Sequence, residues 1–321
     1  MRTVSVLNYK GGVGKTTLSA CTGQALALTG FRVLTIDNDP QHNLSYMLGA
    51  SIDKPTIRDI YQAPTIGTAA RIFLESIRKT SVANLSVVPS SHELAVWDIK
   101  DPYLLQKCFA YLKLEQMYDY VIIDNSPGMD IIQESAIHAS GEIFVPTELS
   151  QFDLNGIHDM QEMLTRRFKN ECPITKIIPN FYRNIKAHDA FLLTLREDFP
   201  GKVTETAIPF DSVFDTLSKE GKILFIHRLS SKAAAFYLKL MLELFDLEEE
   251  KTWAQVVDKR NEQLGNEARG RLVKMRLESK KDLLLREKEA AGPAEDPVAE
   301  KKGLDGFPAA DTNDKAYDGR D

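Results

Sequence analysis

Eight residues near the start, Lys10-Gly11-Gly12-Val13-Gly14-Lys15-Thr16-Thr17, concentrate glycine, lysine and threonine between an apolar run, Val4 to Leu7, and a segment of helical pattern ending at Gly30. Glycines let a backbone curl until several N–H groups converge on one anion, an approach that Cβ atoms would block. A helix starting near Lys15 adds unpaired amides and a partial positive charge. Lys15 adds a full charge suited to the β and γ phosphates of a nucleotide, and the Thr16 hydroxyl suits Mg²⁺. The pattern G-x-x-x-x-G-K-[ST] is met loosely, but the strand-then-helix context is the one its mechanism requires. A plain glycine-rich turn would not need Lys-Thr in that register.

Two acidic stretches stand at the ends of further apolar runs. Phe31 to Ile36 runs into Asp37-Asn38-Asp39-Pro40-Gln41-His42-Asn43, and Tyr118 to Ile123 runs into Asp124-Asn125-Ser126-Pro127-Gly128. Both read as buried parallel strands with acids at the carboxyl end, where ligands of open α/β sheets bind. Asp124 suits a Mg²⁺ held through water.

With these residues in view, Lys10 to Thr17 resembles the deviant Walker A loop of the ParA/MinD group of ATPases, and Asp37 to Asn43 is similar to that group's D-x-D-P-Q-x-N segment. Asn125 stands where the group usually carries Thr, and His42 where it carries a small residue. Pro146-Thr147-Glu148 through Gly156 and Leu85 to Ser90 extend the resemblance, which covers residues 1 to 247. It implies ATP and Mg²⁺ as ligands, held by Gly11, Gly12, Val13, Gly14, Lys15, Thr16 and Thr17, with Thr16, Asp37 and Asp124 about the metal. It gives Asp39 the task of orienting the attacking water. It makes Lys10 a second phosphate lysine that reaches across an ATP-bound homodimer, and places Asn180 and Pro209 at the adenine.

Alternating strands and helices predict an α/β fold: a mostly parallel twisted sheet flanked by helices, of the Rossmann-like P-loop type. Strands are expected at Leu85 to Val88, Glu142 to Pro146, Ile174 to Pro179 and Val203 to Pro209. Helices are expected at Thr56 to Tyr61, Ala69 to Arg78, Asp101 to Met117 and Ser230 to Leu247. Composition suggests three domains: the ATPase domain 1–247, a helical extension 248–289 and a disordered acidic tail 290–321. Residues 251 to 289 carry eleven Lys or Arg against seven Asp or Glu, and 290 to 321 four against eight.

With 321 residues and 43% hydrophobic content the chain can bury a substantial core, and a net charge of -6 argues against wholesale polyanion binding. Cys21, Cys108 and Cys172 are scattered without metal spacing, which suits buried thiols in a reducing compartment. The start enters a strand at once and no apolar run reaches membrane length, so a cytoplasmic protein is expected.

The resemblance implies an ATP-driven protein that segregates or positions a plasmid, chromosome or large cargo, released by a ParB-like or other stimulating partner. Non-specific DNA, as in the nucleoid, is the surface it implies. The charge distribution of this sequence leaves Lys222, Arg228 and Lys232 as core candidates for phosphate contacts, with Lys259, Arg260, Arg269, Arg271, Lys274, Arg276, Lys280 and Lys281 either supplementing them or forming a solvated helix or partner-docking arm. A MinD-like membrane form lacks an apolar C-terminal face, because Asp311 to Asp321 is polar. An iron-sulfur reductase of the same loop class lacks suitable cysteines, and a tyrosine kinase lacks a C-terminal tyrosine cluster. A synthetase would need a small-acid pocket.

Overall fold

The computed structural model describes residues 1–266, apart from Lys54, Asn170 and 215–223, together with Glu278. Contacts divide the chain into Met1–Ala268 and Arg269–Asp321, and the sheet with its helices belongs to the first unit. The tail 290–321, the basic residues from Arg269 onward, and Lys222 lie outside the described residues.

Seven strands form one sheet: β1 (Arg2–Val6), β2 (Val33–Asn38), β3 (Arg78–Lys79), β4 (Leu85–Val88), β5 (Tyr120–Asn125), β6 (Glu142–Thr147) and β7 (Ile174–Pro179). Their order is β3-β4-β2-β5-β1-β6-β7, and every pairing is parallel except β3 with β4 at the edge. The central runs, such as VIID in β5 and VLTID in β2, are apolar on both faces because helices cover both sides.

One face carries α1 (Lys15–Leu28) and α2 (Asn43–Met47), and its core holds Val4, Val6, Val33, Ile122 and Phe144. The other face holds Leu34, Ile36, Val121 and Ile123 beneath α3 (Ile57–Tyr61), α4 (Ile66–Ser76), α5 (Leu104–Leu112) and α6 (Ile131–Ala139). Farther along, α7 (Gln151–Phe168) and α8 (Lys186–Asp198) close over Val145 and Ile177. After the short α9 (Leu224–His227), α10 (Lys232–Phe245) returns to the first face through Tyr237, Leu240 and Met241. A last helix, α11 (249–266), sets Thr252 and Val256 into the interior, with Leu264 packed at the cluster's edge.

Three elements differ from the sequence pattern. Val203 to Pro209 makes only two isolated bridges, Ile177 with Val203 and Tyr182 with Pro209. Its Glu205 and Thr206 amides instead donate to the Glu243 carboxylate at 2.6 and 3.0 Å, so they are lost to a ladder. The helix expected over Asp101 to Met117 stops at Leu112, where Lys113 turns left-handed (φ 50) before a 3-10 turn. The helix expected to reach Arg78 ends at Ser76, and Arg78 and Lys79 pair antiparallel with β4.

Helix α1 is buried along nearly its whole length, unlike a surface helix with one apolar stripe. Gly23 permits this, since a Cβ there would lie 2.9 Å from Thr35 Cγ2 and 3.3 Å from Leu85 Cδ1. Close seating of α1 on β2 and β4 fixes the phosphate-type loop at its start relative to the acids at the end of β2. Gly23→Val is expected to cost about 1–3 kcal/mol by overpacking. Urea unfolding measures it, and an unchanged midpoint would show that α1 can lift without penalty.

Candidate active site

The loop 8–14 leaves β1 and turns through Gly12 (φ 79) and Gly14 (φ 93), both left-handed. Gly14 is the N-cap of α1 and offers no side chain to its first amides, which leaves them for an anion. A Cβ on Gly14 would stand 2.2 Å from Asn180 Nδ2. The glycine is thus required by close approach as well as by backbone angle. Lys15 is buried, and its Nζ donates to Lys10 O at 2.8 Å and Asn8 O at 3.3 Å, so the lysine wraps under its own loop. Burial lowers its pKa, against the opposing pull of Asp124 and Asp39.

Behind the loop, Asp37 and Asp124 are register partners on β2 and β5. Both are fully buried. Asp37 Oδ2 accepts from Ser45 N and Ser45 Oγ, each at 2.7 Å, while its Oδ1 accepts from Asp39 N at 3.3 Å. Asp37 therefore ties the Asp39 turn to α2, and its pKa rises from the usual 3.8 to about 7, chiefly by burial. Asp124 rises to about 8 through burial and the neighbouring Asp37, opposed by the nearby hydroxyls of Thr16 and Ser19. Ser19 Oγ donates to Asp124 Oδ1 at 2.9 Å, whereas Oδ2 has no partner among the described residues. An orphaned carboxylate oxygen beside the Thr16 hydroxyl is a hard-oxygen donor set that fits Mg²⁺.

Asp39 is buried, with Oδ1 accepting from Gln41 N at 2.8 Å. His42 closes this turn in the left-handed region (φ 44), its amide donating to Asp39 O at 2.8 Å. A cavity of about 370 Å³ opens between the loop and these acids. Gly12, Gly14, Lys15, Thr16, Thr17, Asp39, Asn180 and Pro209 all line it, so most of the residues singled out in the sequence converge there. Asp37 and Asp124 stand behind it, Val13 is wholly buried, and Gly11 is exposed.

Lys10 points elsewhere: its Nζ lies 2.6 Å from Glu148 Oε2 and 3.2 Å from Asp153 Oδ2, and these partners raise its pKa. Asn180 is also engaged, with Nδ2 donating to Val13 O at 2.9 Å and Oδ1 accepting from Phe181 N at 2.9 Å. Its amide thus fastens β7 to the loop. Phe181 adopts φ 54, a strained choice for a bulky residue, and lines the cavity with Phe210 and Tyr237. Sequence reasoning does not single out Phe181 or Tyr237 for the cavity, since no local pattern marks a residue that becomes cavity wall through a distant turn. Ser19 and Ser45 escape it for the same reason, as each meets its aspartate only after the sheet has formed.

A glycine-built anion loop at the head of a buried helix, facing acids on adjacent parallel strands, defines a P-loop nucleotide-binding site on a Rossmann-like fold. A family described as an AAA domain matches residues 1–175. The partitioning protein ParA of Caulobacter vibrioides is 28% identical over 265 residues, spanning 78% of this chain and 96% of its own. A ParA family protein of Chlamydia trachomatis is 30% identical over 259 residues, spanning 77% and 98%. Among solved structures, the septum site-determining protein MinD of Pyrococcus horikoshii, complexed with Mg-ADP, superposes with a TM-score of 0.64 at 25% identity, covering 78% of this chain and 98% of that one. The chain belongs to the ParA/MinD group of P-loop ATPases.

The two buried acids give the nucleotide-free, metal-free protein a definite pH dependence. Their folded pKa values lie above the usual 3.8, so in this window the native state binds protons that the unfolded chain has released. The contribution of these acids to stability should be full below about 3.8, fall as pH rises from there through about 7 to 8, and level off above. Urea unfolding across that range checks it. Asp37→Asn or Asp124→Asn should flatten the slope, and a slope unchanged in both would place its origin elsewhere.

Proposed function

We propose that the protein is a Mg²⁺-dependent ATPase that dimerises on ATP, holds non-specific DNA, and is released when a ParB-like partner stimulates hydrolysis, so that a plasmid, chromosome or large cargo is segregated or positioned. The observation that carries this reading is the meeting of the phosphate-type loop and Asp39 around one cavity, with the unpartnered Asp124 oxygen behind it. Its similarity to ParA proteins over three quarters of the chain supports the partitioning role.

In this reading the amides of Gly12 to Thr17 and the Lys15 ammonium receive the triphosphate, and Asn180 and Pro209 border the base. Thr16 and Asp124 hold Mg²⁺ while Asp37 shapes the adjoining turn. The metal supplies neutralisation of phosphate charge. Asp39 accepts a hydrogen bond from the attacking water and aligns it, which lowers the barrier by positioning. Lys10 leaves Glu148 and Asp153 for phosphate charge across the dimer. Hydrolysis removes the group that holds it there, and the dimer opens.

DNA contact would rest on phosphate neutralisation, which is strongly salt-dependent. Of the basic residues that bear on it, Lys232 is exposed. Arg228 Nη1 donates to His227 O at 3.2 Å, Lys259 pairs with Glu262 at 2.9 Å, and Arg260 Nε donates to Ile226 O at 3.1 Å. Arg260 thus commits its guanidinium partly to fastening α11, so the later residues 269–281 carry more of the proposed contact. Among the described residues no helix is long and apolar enough to cross a membrane.

Three experiments test this. Lys15→Ala should weaken ATP binding by about 10-fold to 100-fold or more, since a charged hydrogen bond is worth about 1.5–3 kcal/mol. Lys10→Ala should keep binding yet lose the dimer in light scattering with a slowly hydrolysed ATP analogue, and a normal dimer in that variant would remove Lys10 from the interface. Deleting residues 267–321 leaves α11 on the core. It should preserve ATPase activity while reducing salt-sensitive binding to non-specific duplex DNA, whereas undiminished binding would assign that segment to a protein partner.

A further inference from the structure

Side chains alternate across a strand, so the residues beside the two buried acids point to the opposite face of the sheet. Asp37 and Asp124 share the face of α1, while Asn38 and Asn125, also register partners, share the face of α3 and α6. Both asparagines are fully buried. Asn38 Nδ2 donates to Asn125 Oδ1 at 2.9 Å and to Ile132 O at 3.0 Å, and Asn38 Oδ1 accepts from Tyr61 Oη at 2.9 Å. Asn125 Nδ2 in turn donates to Val6 O at 3.2 Å and Ile123 O at 3.1 Å.

These bonds join the three strands that end in the site. Val6 is the last residue of β1 before the phosphate-type loop, Asn38 immediately precedes Asp39, and Asn125 sits between Asp124 and the Ser126–Gly128 turn. That turn lies close to the loop, since Pro127 Cγ is 3.5 Å from where a Gly11 Cβ would stand, and Gln133 Nε2 fastens it from behind by donating to Ser126 O at 3.1 Å. All four amide hydrogens of the two asparagines are used, and the oxygen of each accepts a bond. Apolar residues of the same shape would fill this space without desolvating two amides. A satisfied buried network contributes direction instead, because its members hold one another at fixed angles.

We propose that Asn38 and Asn125 form a positioning clasp for ATP hydrolysis, setting Asp39 and the Ser126–Gly128 turn in register with the phosphate-type loop. The proposal rests on the reading of Asp39 as the residue that orients water. Neither asparagine touches the cavity, so the clasp acts on turnover through Asp39 and not on nucleotide affinity.

The test uses the full chain with the near-isosteric variants Asn38→Leu and Asn125→Leu, their double, and Asp39→Ala. A fluorescent ATP analogue reports affinity, phosphate release reports kcat, and thermal melting reports the folded fraction. Each Leu variant should lose about ten-fold or more in kcat while analogue Kd changes by less than about three-fold. The double should fall within about two-fold of the worse single, as members of one network do. A kcat per folded molecule within about two-fold of native, or strictly multiplicative losses, would overturn the clasp. If the Leu variants do not fold, Tyr61→Phe decides, since it removes one hydroxyl at little change of volume: kcat lowered about three-fold at unchanged Kd supports the clasp and unchanged kcat overturns it. Undiminished turnover in Asp39→Ala would sink the water-orienting role itself, whereas lost turnover there beside native turnover in the amide variants would sink the clasp alone.

Discussion

Two carboxylates held away from water, at the ends of neighbouring strands, are the constraint on which the rest of the site depends. Burying an ionised acid costs several kcal/mol unless it is bonded or paired. Asp37 and Asp124 are both wholly inside, and the charge of Asp37 adds to the rise at Asp124. Asp37 meets the constraint with three bonds from α2 and its own turn, which makes it structural in the unliganded chain. Asp124 meets it only in part, with one oxygen bonded through Ser19 and the other left over. A cation relieves strain of that kind, so the sheet stores at Asp124 a preference for metal.

The phosphate-type loop answers the same constraint from the other side. Lys15 is buried near Asp124 and Asp39, yet its ammonium bonds the carbonyls of residues 8 and 10 rather than either carboxylate. It therefore holds the loop in a shape ready for anionic oxygen without neutralising Asp124. A lysine paired to Asp124 would have had to break that pair before binding phosphate. Keeping the two charges near but unpaired leaves both available, while burial depresses the lysine pKa and raises the aspartate one.

Much of this was legible in the sequence because the chemistry is local there. Gly12, Gly14 and Lys15 lie within four residues of one another, and the strand-then-helix pattern around them fixes which way the amides point. Asp37 and Asp124 were legible as acids closing apolar runs. What could not be read were partnerships set by the sheet's strand order. Ser19 with Asp124, Ser45 with Asp37 and Asn38 with Asn125 each join separate elements, and nothing within either element announces the other. Val203 to Pro209 misled for a related reason: its composition suits a strand, but Glu243 on α10 takes the amides that a ladder would need. The Lys113 turn within the expected 101–117 helix is likewise invisible to periodicity, which continues across the break through Leu114.

Lys10 shows how modest energies suffice for a switch. Its ammonium is 44% exposed and pairs with Glu148, itself 36% exposed, a contact of the kind worth about 0–1 kcal/mol. Asp153 is different, because its side chain is only 1% exposed and its Oδ1 already lacks a partner. Removing Lys10 would leave that carboxylate with Ser150 as its remaining bonded side chain. The lysine is therefore held weakly by one acid and more firmly by the other. In the function proposed above, Lys10 would have to leave both acids to reach phosphate, and the buried Asp153 at the start of α7 would then set most of the cost of that departure.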